Sequence, residues 1–257
     1  MVREKFEIPV WGTVLFLDVS SKRIDKEAIS HAVDSVKGFV NQVDLDFSTY
    51  KDGSYISRLR RNEIAIADCP EMVREIWGLC AIARDLTEGA FDPWAIAGGF
   101  DPSGYVKGWA GDKCALILEA AGCEQIQVNA AGDLTLRGGV GEGGEVKPWA
   151  IGVINPDNRQ EVLRIFNITD GAIATSGVYE RGAHIFDPAT GTIAIGAKSA
   201  TVIGPDGGLS DALATALMVA SEDGAGWFAQ PELVEYSAWV IDRHSGGAWG
   251  VGPAVSG

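Results

Sequence analysis

Asp211 and Thr215 stand four residues apart in LSDALATALMV (209–219), a spacing that puts both side chains on one face of a helix. Two oxygen-bearing groups so placed can cap and solvate, with Ser210 or Asp211 as N-cap and Thr215 an ordinary half-buried position. They can equally hold a cation. Lys107 lies in GAFDPWAIAGGFDPSGYVKGW (89–109), where two Phe-Asp-Pro tripeptides and several glycines run up to a predicted helix. Glycines let backbone approach a ligand closely, and a helix N-terminus offers free N–H groups. A lysine there opposes the helix dipole unless an anion sits beside it. That pattern suits a phosphate, although it is neither GxGxxG nor a Walker loop.

His184, in ATSGVYERGAHIFDP (174–188), is one of three histidines in the chain. Between apolar neighbours it reads either as a satisfied core residue or, facing a cleft, as a general base near neutral pH. FSTYKDGSYISRL (47–59) reads as a turn at Asp52-Gly53 followed by a serine-capped helical turn. The chain has no G-x-S-x-G elbow, no HExxH and no histidine pair at ligand spacing. Hard oxygen groups dominate, which suits Mg²⁺ better than zinc.

Helices and strands must position these groups. Apolar periodicity predicts helices over Lys26–Val43, Pro70–Leu86 and Lys107–Ala121, besides the 209–219 run. Strands are expected at Pro9–Val19, Gln125–Asn129, Leu134–Arg137, Trp149–Ile154, Glu161–Ile168, Ala172–Ser176, Lys198–Ile203 and Tyr236–Asp242. GGVGEGGE (138–145) reads as a hairpin loop rather than a linker. The elements interleave without strict βαβ order, so the expected fold is α+β, a single domain over residues 1–257.

Composition narrows the partners. A formal net charge of −14 over 257 residues repels nucleic acid and anionic membranes, so neither is expected as a partner. An anionic small molecule would need local relief from a cation or a metal. Cys69, Cys80, Cys114 and Cys123 show no CxxC spacing and read as small buried hydrophobes. MVREKFEIPVWGTV lacks the apolar stretch of a signal peptide, and no apolar run is long enough to span a bilayer. The expected location is the cytoplasm.

Taken in order along the chain, these segments resemble the ApbE family of FAD-dependent protein flavin transferases. FSTYKDGSYISRL is similar to the family's STYxxxSxLSR, EGAFDP to GGAFDP, and DPSGYVKGWAGD to D-L-x-x-x-A-K-G-Y-A-x-D. VNAAGD resembles VNxGGD, ATSGVYER…HIFDP resembles ATSGxYER…HxxDP, and LSDALATAL resembles the D-A-x-x-T-A helix. The resemblance implies a T-fold-like domain of mixed β-sheets with packed helices. It implies a Mg²⁺-dependent transfer of FMN from FAD to a threonine or serine hydroxyl of an acceptor flavoprotein, with release of AMP. An FAD pyrophosphatase, with water as acceptor, and a flavin-binding protein without turnover are the alternatives.

Carried over by motif position, Asp211, Thr215 and the backbone carbonyl of Gly104 would hold the metal. Lys107 would bind phosphate or the nucleotide end of FAD, and Ala90, Phe91 and Asp92 would contact the cofactor. Asp101 would meet the adenosine, Tyr50 would lie against flavin or adenine, and His184 would take the acceptor's proton. Three departures stand out. Longer members carry an insertion between FDP and the next motif, where only Trp94–Phe100 intervene here, so the adenine is expected to be more exposed. Trp11-Gly12-Thr13 replaces Met-Gly-Thr, and Trp11 would either stack on the flavin or pack. Ala131 replaces the first glycine of GGD.

Overall fold

The alternation of inward Phe6, Ile8 and Val10 begins earlier than expected, and a hairpin stands where one strand over Pro9–Val19 was predicted. β1 (Val2–Val10) and β2 (Thr13–Ser21) pair antiparallel about a two-residue turn. Both turn residues are left-handed, Trp11 at φ 56° and Gly12 at φ 70°, as a twist-matched hairpin turn requires. Glycine accepts that conformation freely, whereas tryptophan does so at a cost of about 1–2 kcal/mol. The computed structural model of the chain describes residues 1–141, 145–177 and 185–255.

Among these residues β1 and β2 open an eight-stranded sheet of order β1-β2-β3-β4-β7-β8-β9-β10, antiparallel throughout. The other members are β3 (Gln125–Ala130), β4 (Asp133–Arg137), β7 (Gly171–Gly177), β8 (Ala197–Gly204), β9 (Ser237–Asp242) and β10 (Ala248–Val251). A separate hairpin, β5 (Trp149–Asn155) with β6 (Asn158–Ile168), covers the opposite face of the sheet's middle through Trp149, Val153, Phe166 and Ile168.

Helices cover the other face. In α1 (Lys26–Phe47) the stripe Ile29, Val33, Val36, Val40 meets Leu15, Leu17 and Val128 of the sheet. Asp25 caps α1 by accepting from the Ala28 N–H at 2.9 Å. The helix runs past the expected Val43 because Phe47 is buried against the Trp109 ring, centroids 6.0 Å apart. A short α2 (Tyr55–Arg60) follows its Ser54 cap, and α3 (Glu71–Leu86) packs by Val73, Ile76, Cys80 and Ala83.

The two helices that matter most for function are α4 (Ser103–Ala120) and α5 (Gly207–Ala220). They meet backbone to backbone, since a Cβ on Gly108 would fall 2.0 Å from the Gly207 carbonyl oxygen. Only glycine at 108 permits that approach. α4 starts at Ser103, not at Lys107 as expected, with a non-helical step at Gly104. Lys107 therefore lies inside the helix rather than at its first position.

The four cysteines are free and buried, and burial pushes the thiols up, which leaves them inert as nucleophiles. Among the described residues no helix is long and apolar enough to cross a membrane.

Candidate functional site

α5 is capped by Asp206, whose side chain accepts from the Leu209 N–H at 2.7 Å. Neither Ser210 nor Asp211 is the cap. Asp211 instead sits in the second turn, 3% exposed, and Thr215 follows one turn later on the same face. Both line a cavity of about 440 Å³ between the helices and the sheet.

Lys107 projects from α4 into this cavity between two buried carboxylates. Its Nζ lies 2.5 Å from Asp211 Oδ2 and 2.8 Å from Asp133 Oδ2. Burial alone would lower the ammonium's pKa, but the two acids outweigh it and hold Lys107 above its ordinary value. The cation stays charged. The anions that answer it are thus protein carboxylates, which the sequence reading had not paired with it. Asp133 is 6% exposed, and its Oδ2 faces the Lys107 ammonium at 2.8 Å.

Beside this group, Thr215 Oγ1 lies 3.3 Å from Ser176 Oγ of β7. Gly104 is close by, since a Cβ built on it would stand 3.3 Å from Thr215 Oγ1. One carboxylate, one hydroxyl and a carbonyl in the non-helical turn make a hard-oxygen set, with the Lys107-paired Asp133 carboxylate close by. Such donors fit Mg²⁺ and leave coordination positions for phosphate oxygens and water. Among the described residues no group of three or more His, Cys, Asp or Glu gathers at a metal position.

The far wall is a loop. Asp92 Oδ1 accepts from the Trp94 N–H at 2.9 Å, and the Asp101 N–H donates to the Pro93 carbonyl, closing residues 93–101 on themselves. The loop's Trp94 and Phe100 pack with Trp77 in edge-on and tilted contacts, centroids 4.5–5.1 Å apart. Arg60, at the end of α2, donates from Nε to Gly98 O (3.0 Å) and from Nη2 to Ala97 O (2.9 Å). Its Nη1 stands 3.8 Å from Asp101 Oδ2. Asp101 Oδ1 in turn accepts from the Ser103 N–H at 3.0 Å at the start of α4.

Of the residues singled out from the sequence, Ala90, Phe91, Asp92, Asp101, Gly104, Lys107, Asp211 and Thr215 all line the one cavity. Trp11 does not. Its ring packs at the seam between the two helical cores, with Nε1 buried and, among the described residues, without a hydrogen-bond partner. Tyr50 is 96% exposed and is not part of the described lining, because the turn after α1 points it into solvent. His184 lies outside the described residues; the next residue, Ile185, lines the cavity. Sequence reasoning passed over Arg60, which sits beyond the STYxxxSxLSR segment and carried no signal. Asp133 and Ser176 lay inside quoted motifs without an assigned role.

The model of the ApbE family matches residues 96–238, more than half of the chain. The chain belongs to the ApbE family. Among curated relatives, an FAD:protein FMN transferase of Rhodobacter capsulatus is 35% identical over 131 residues, 48% of this chain and 24% of that protein. One of Vibrio cholerae is 36% identical over 133 residues, 48% of this chain and 39% of that protein. The chain thus matches well under half the length of these relatives. The ApbE protein of Thermotoga maritima superposes with a TM-score of 0.81 at 23% identity, covering 96% of both chains. The flavin transferase ApbE of Vibrio cholerae superposes at 0.80 and 23%, covering 97% of both. At that identity the superpositions establish a shared fold. The expected α+β architecture is the ApbE fold, here with antiparallel sheets and packed helices.

Proposed function

We propose that this ApbE-family chain transfers FMN from FAD to a threonine or serine hydroxyl of an acceptor flavoprotein, with Mg²⁺, releasing AMP. The observation that carries this reading is the buried Lys107 held between Asp133 and Asp211 beside Thr215 and Gly104. A net charge of −14 makes a dinucleotide unwelcome elsewhere on the surface. Here a permanent cation and hard-oxygen donors converge on one cavity.

In this reading the acceptor oxygen attacks the phosphorus of the FMN half. The bond from that phosphorus to the bridging oxygen breaks, and the oxygen leaves with AMP. Lys107 orients the pyrophosphate with the N–H that Asp133 and Asp211 leave over. Asp211, the Thr215 hydroxyl and the Gly104 carbonyl would hold Mg²⁺. Bound there, Mg²⁺ supplies Lewis-acid stabilisation of charge on the phosphorus oxygens. Ala90, Phe91 and Ile96 give the cavity apolar walls that limit water near the phosphorus, and Asp92 and Asp101 fix the loop that forms one wall. His184 is assigned the acceptor's proton on its motif position.

The test is AMP release from FAD, with Mg²⁺ or chelator, with and without an acceptor carrying a threonine motif, while the acceptor's mass is followed. AMP together with an acceptor heavier by FMN supports the transferase. AMP with free FMN regardless of acceptor replaces it by a pyrophosphatase. Bound FAD without AMP leaves a binding protein.

A further inference from the structure

Asp112 has no part in the roles assigned above, yet it touches every element that carries the charged end of the site. It lies on α4 five residues beyond Lys107, with its side chain 14% exposed. Its Oδ2 accepts from the Gly207 N–H, the first of α5, at 2.6 Å. Its Oδ1 accepts from Thr135 Oγ1 of β4 at 2.8 Å, with Arg137 Nη2 at 3.8 Å. α5 carries Asp211 and Thr215, and β4 begins with Asp133. The first N–H groups of a helix have no intrahelical partner; Asp206 serves Leu209, and Asp112 serves Gly207 from a different helix.

The packing around Asp112 is built for contact. Gly108 lets α4 lie against Gly207, and a Cβ on Gly111 would fall 2.9 Å from Thr135 Oγ1. The carboxylate is also held against its own electrostatics. Burial pushes its pKa up to about 6, with the Asp206 charge adding, while the Gly207 N–H, Thr135 and Arg137 work the other way. Retaining an acid in surroundings that disfavour its charge is the pattern of a site that gives up stability for function.

We propose that Asp112 is a positioning residue: it ties α4, α5 and β4 together and thereby sets Asp211 and Asp133 against Lys107. This rests on the function proposed above for what the charged end does, not for the tie itself. The reacting groups sit on three elements joined through one side chain, so loss of the tie lets all three drift.

The experiment compares Asp112→Ala, Asp112→Asn and Thr135→Val with the wild-type chain, well below their unfolding midpoints. Four quantities are read: kcat for AMP release, Mn²⁺ binding by electron paramagnetic resonance, acetylation of Lys107 by acetic anhydride, and the thermal midpoint. Asp112→Ala is expected to lower kcat about 10²-fold, weaken Mn²⁺ about 10-fold and speed acetylation of Lys107. Asp112→Asn, whose amide can accept from Gly207 and donate to Thr135, is expected to restore all three. Thr135→Val, which cuts one arm and keeps the charge, is expected to fall between.

Wild-type kcat, Mn²⁺ affinity and Lys107 protection in Asp112→Ala overturn the proposal. So does an Asp112→Asn variant as damaged as the alanine, because charge rather than position would then be the cause. A wild-type chain that releases no AMP sinks the transferase reading alone; the tie is still judged by Lys107 acetylation and Mn²⁺ binding.

Discussion

The two ends of the cavity are built on different principles. At one end Lys107, Asp133 and Asp211 project from regular elements, two helices in glycine-mediated backbone contact and a central strand. At the other, residues 93–101 form a short loop whose shape depends on one guanidinium and an aromatic cluster. Groups that must hold charge at sub-ångström accuracy sit on rigid elements; the opposite wall is left to a loop. Mutations should therefore cost chemistry at the first end and affinity at the second.

The largest effect belongs to Asp211→Ala. It removes the one carboxylate of the hard-oxygen set and half of the charge that holds Lys107. AMP release with saturating FAD should drop about 10³-fold, and the dependence on Mg²⁺ should vanish from what remains. Single-turnover assays over a Mg²⁺ series measure both. Activity close to wild type would break the contrast at its stronger end.

That end was the more legible one in the sequence. Asp211 and Thr215 announced a shared helix face by their spacing, and Lys107 stood out as a cation needing an anion. What the sequence could not show was the pairing itself. Lys107 meets Asp211 across 104 positions of chain, and the glycine crossing that brings them together is not a local property. The same limit hid the β1–β2 hairpin. Trp11-Gly12 lacks the usual Asn-Gly or Asp-Gly turn chemistry, so an apolar run read as one strand is two. Tyr50 and Trp11 show the converse. A motif position carries a residue type, but the turn at Lys51–Gly53 and the helical seam decide where each ring points.

Asp112 supplies the second prediction. Its carboxyl is shifted from 3.8 to about 6 in the folded chain. Between those values the native state keeps a proton that the unfolded chain has lost. Asp112's contribution to stability is therefore fully present below about pH 4 and lost as pH rises through 6. That difference corresponds to about 3 kcal/mol. Asp112→Asn should abolish this slope in urea titrations run from pH 4 to 7. An unchanged slope would assign the loss to another group and remove the cost attributed to the charged end.

Arg60→Ala probes the loop end. Losing two hydrogen bonds to Ala97 and Gly98 should raise KM for FAD about 10-fold with kcat little changed, the signature of lost uniform binding. Lysine should not rescue it, since its ammonium lacks the planar fork whose three nitrogens reach Gly98, Ala97 and Asp101 separately. Inhibition by AMP should weaken while inhibition by FMN stays constant. A drop in kcat at constant KM would mean that the loop takes part in the chemistry, and the distinction between the ends would dissolve.

The smallest effect lies where the ends meet. Ala131 lines the cavity next to Asp133 in the β3–β4 turn, and it is held at φ 57° with Gly132 at φ 105°. The family's motif has glycine where Ala131 stands. A left-handed alanine costs about 1–2 kcal/mol, and glycine's greater freedom when unfolded returns about 0.5–1 kcal/mol of that. Ala131→Gly should therefore stabilise the chain by about 0.5–1 kcal/mol in urea unfolding, with turnover unchanged, because β4 and Asp133 keep their register. If the variant is more stable but slower, the strained methyl takes part in shaping the charged end, and rigidity there would extend from the helices into the turn. If it is less stable, the methyl's packing outweighs the backbone strain.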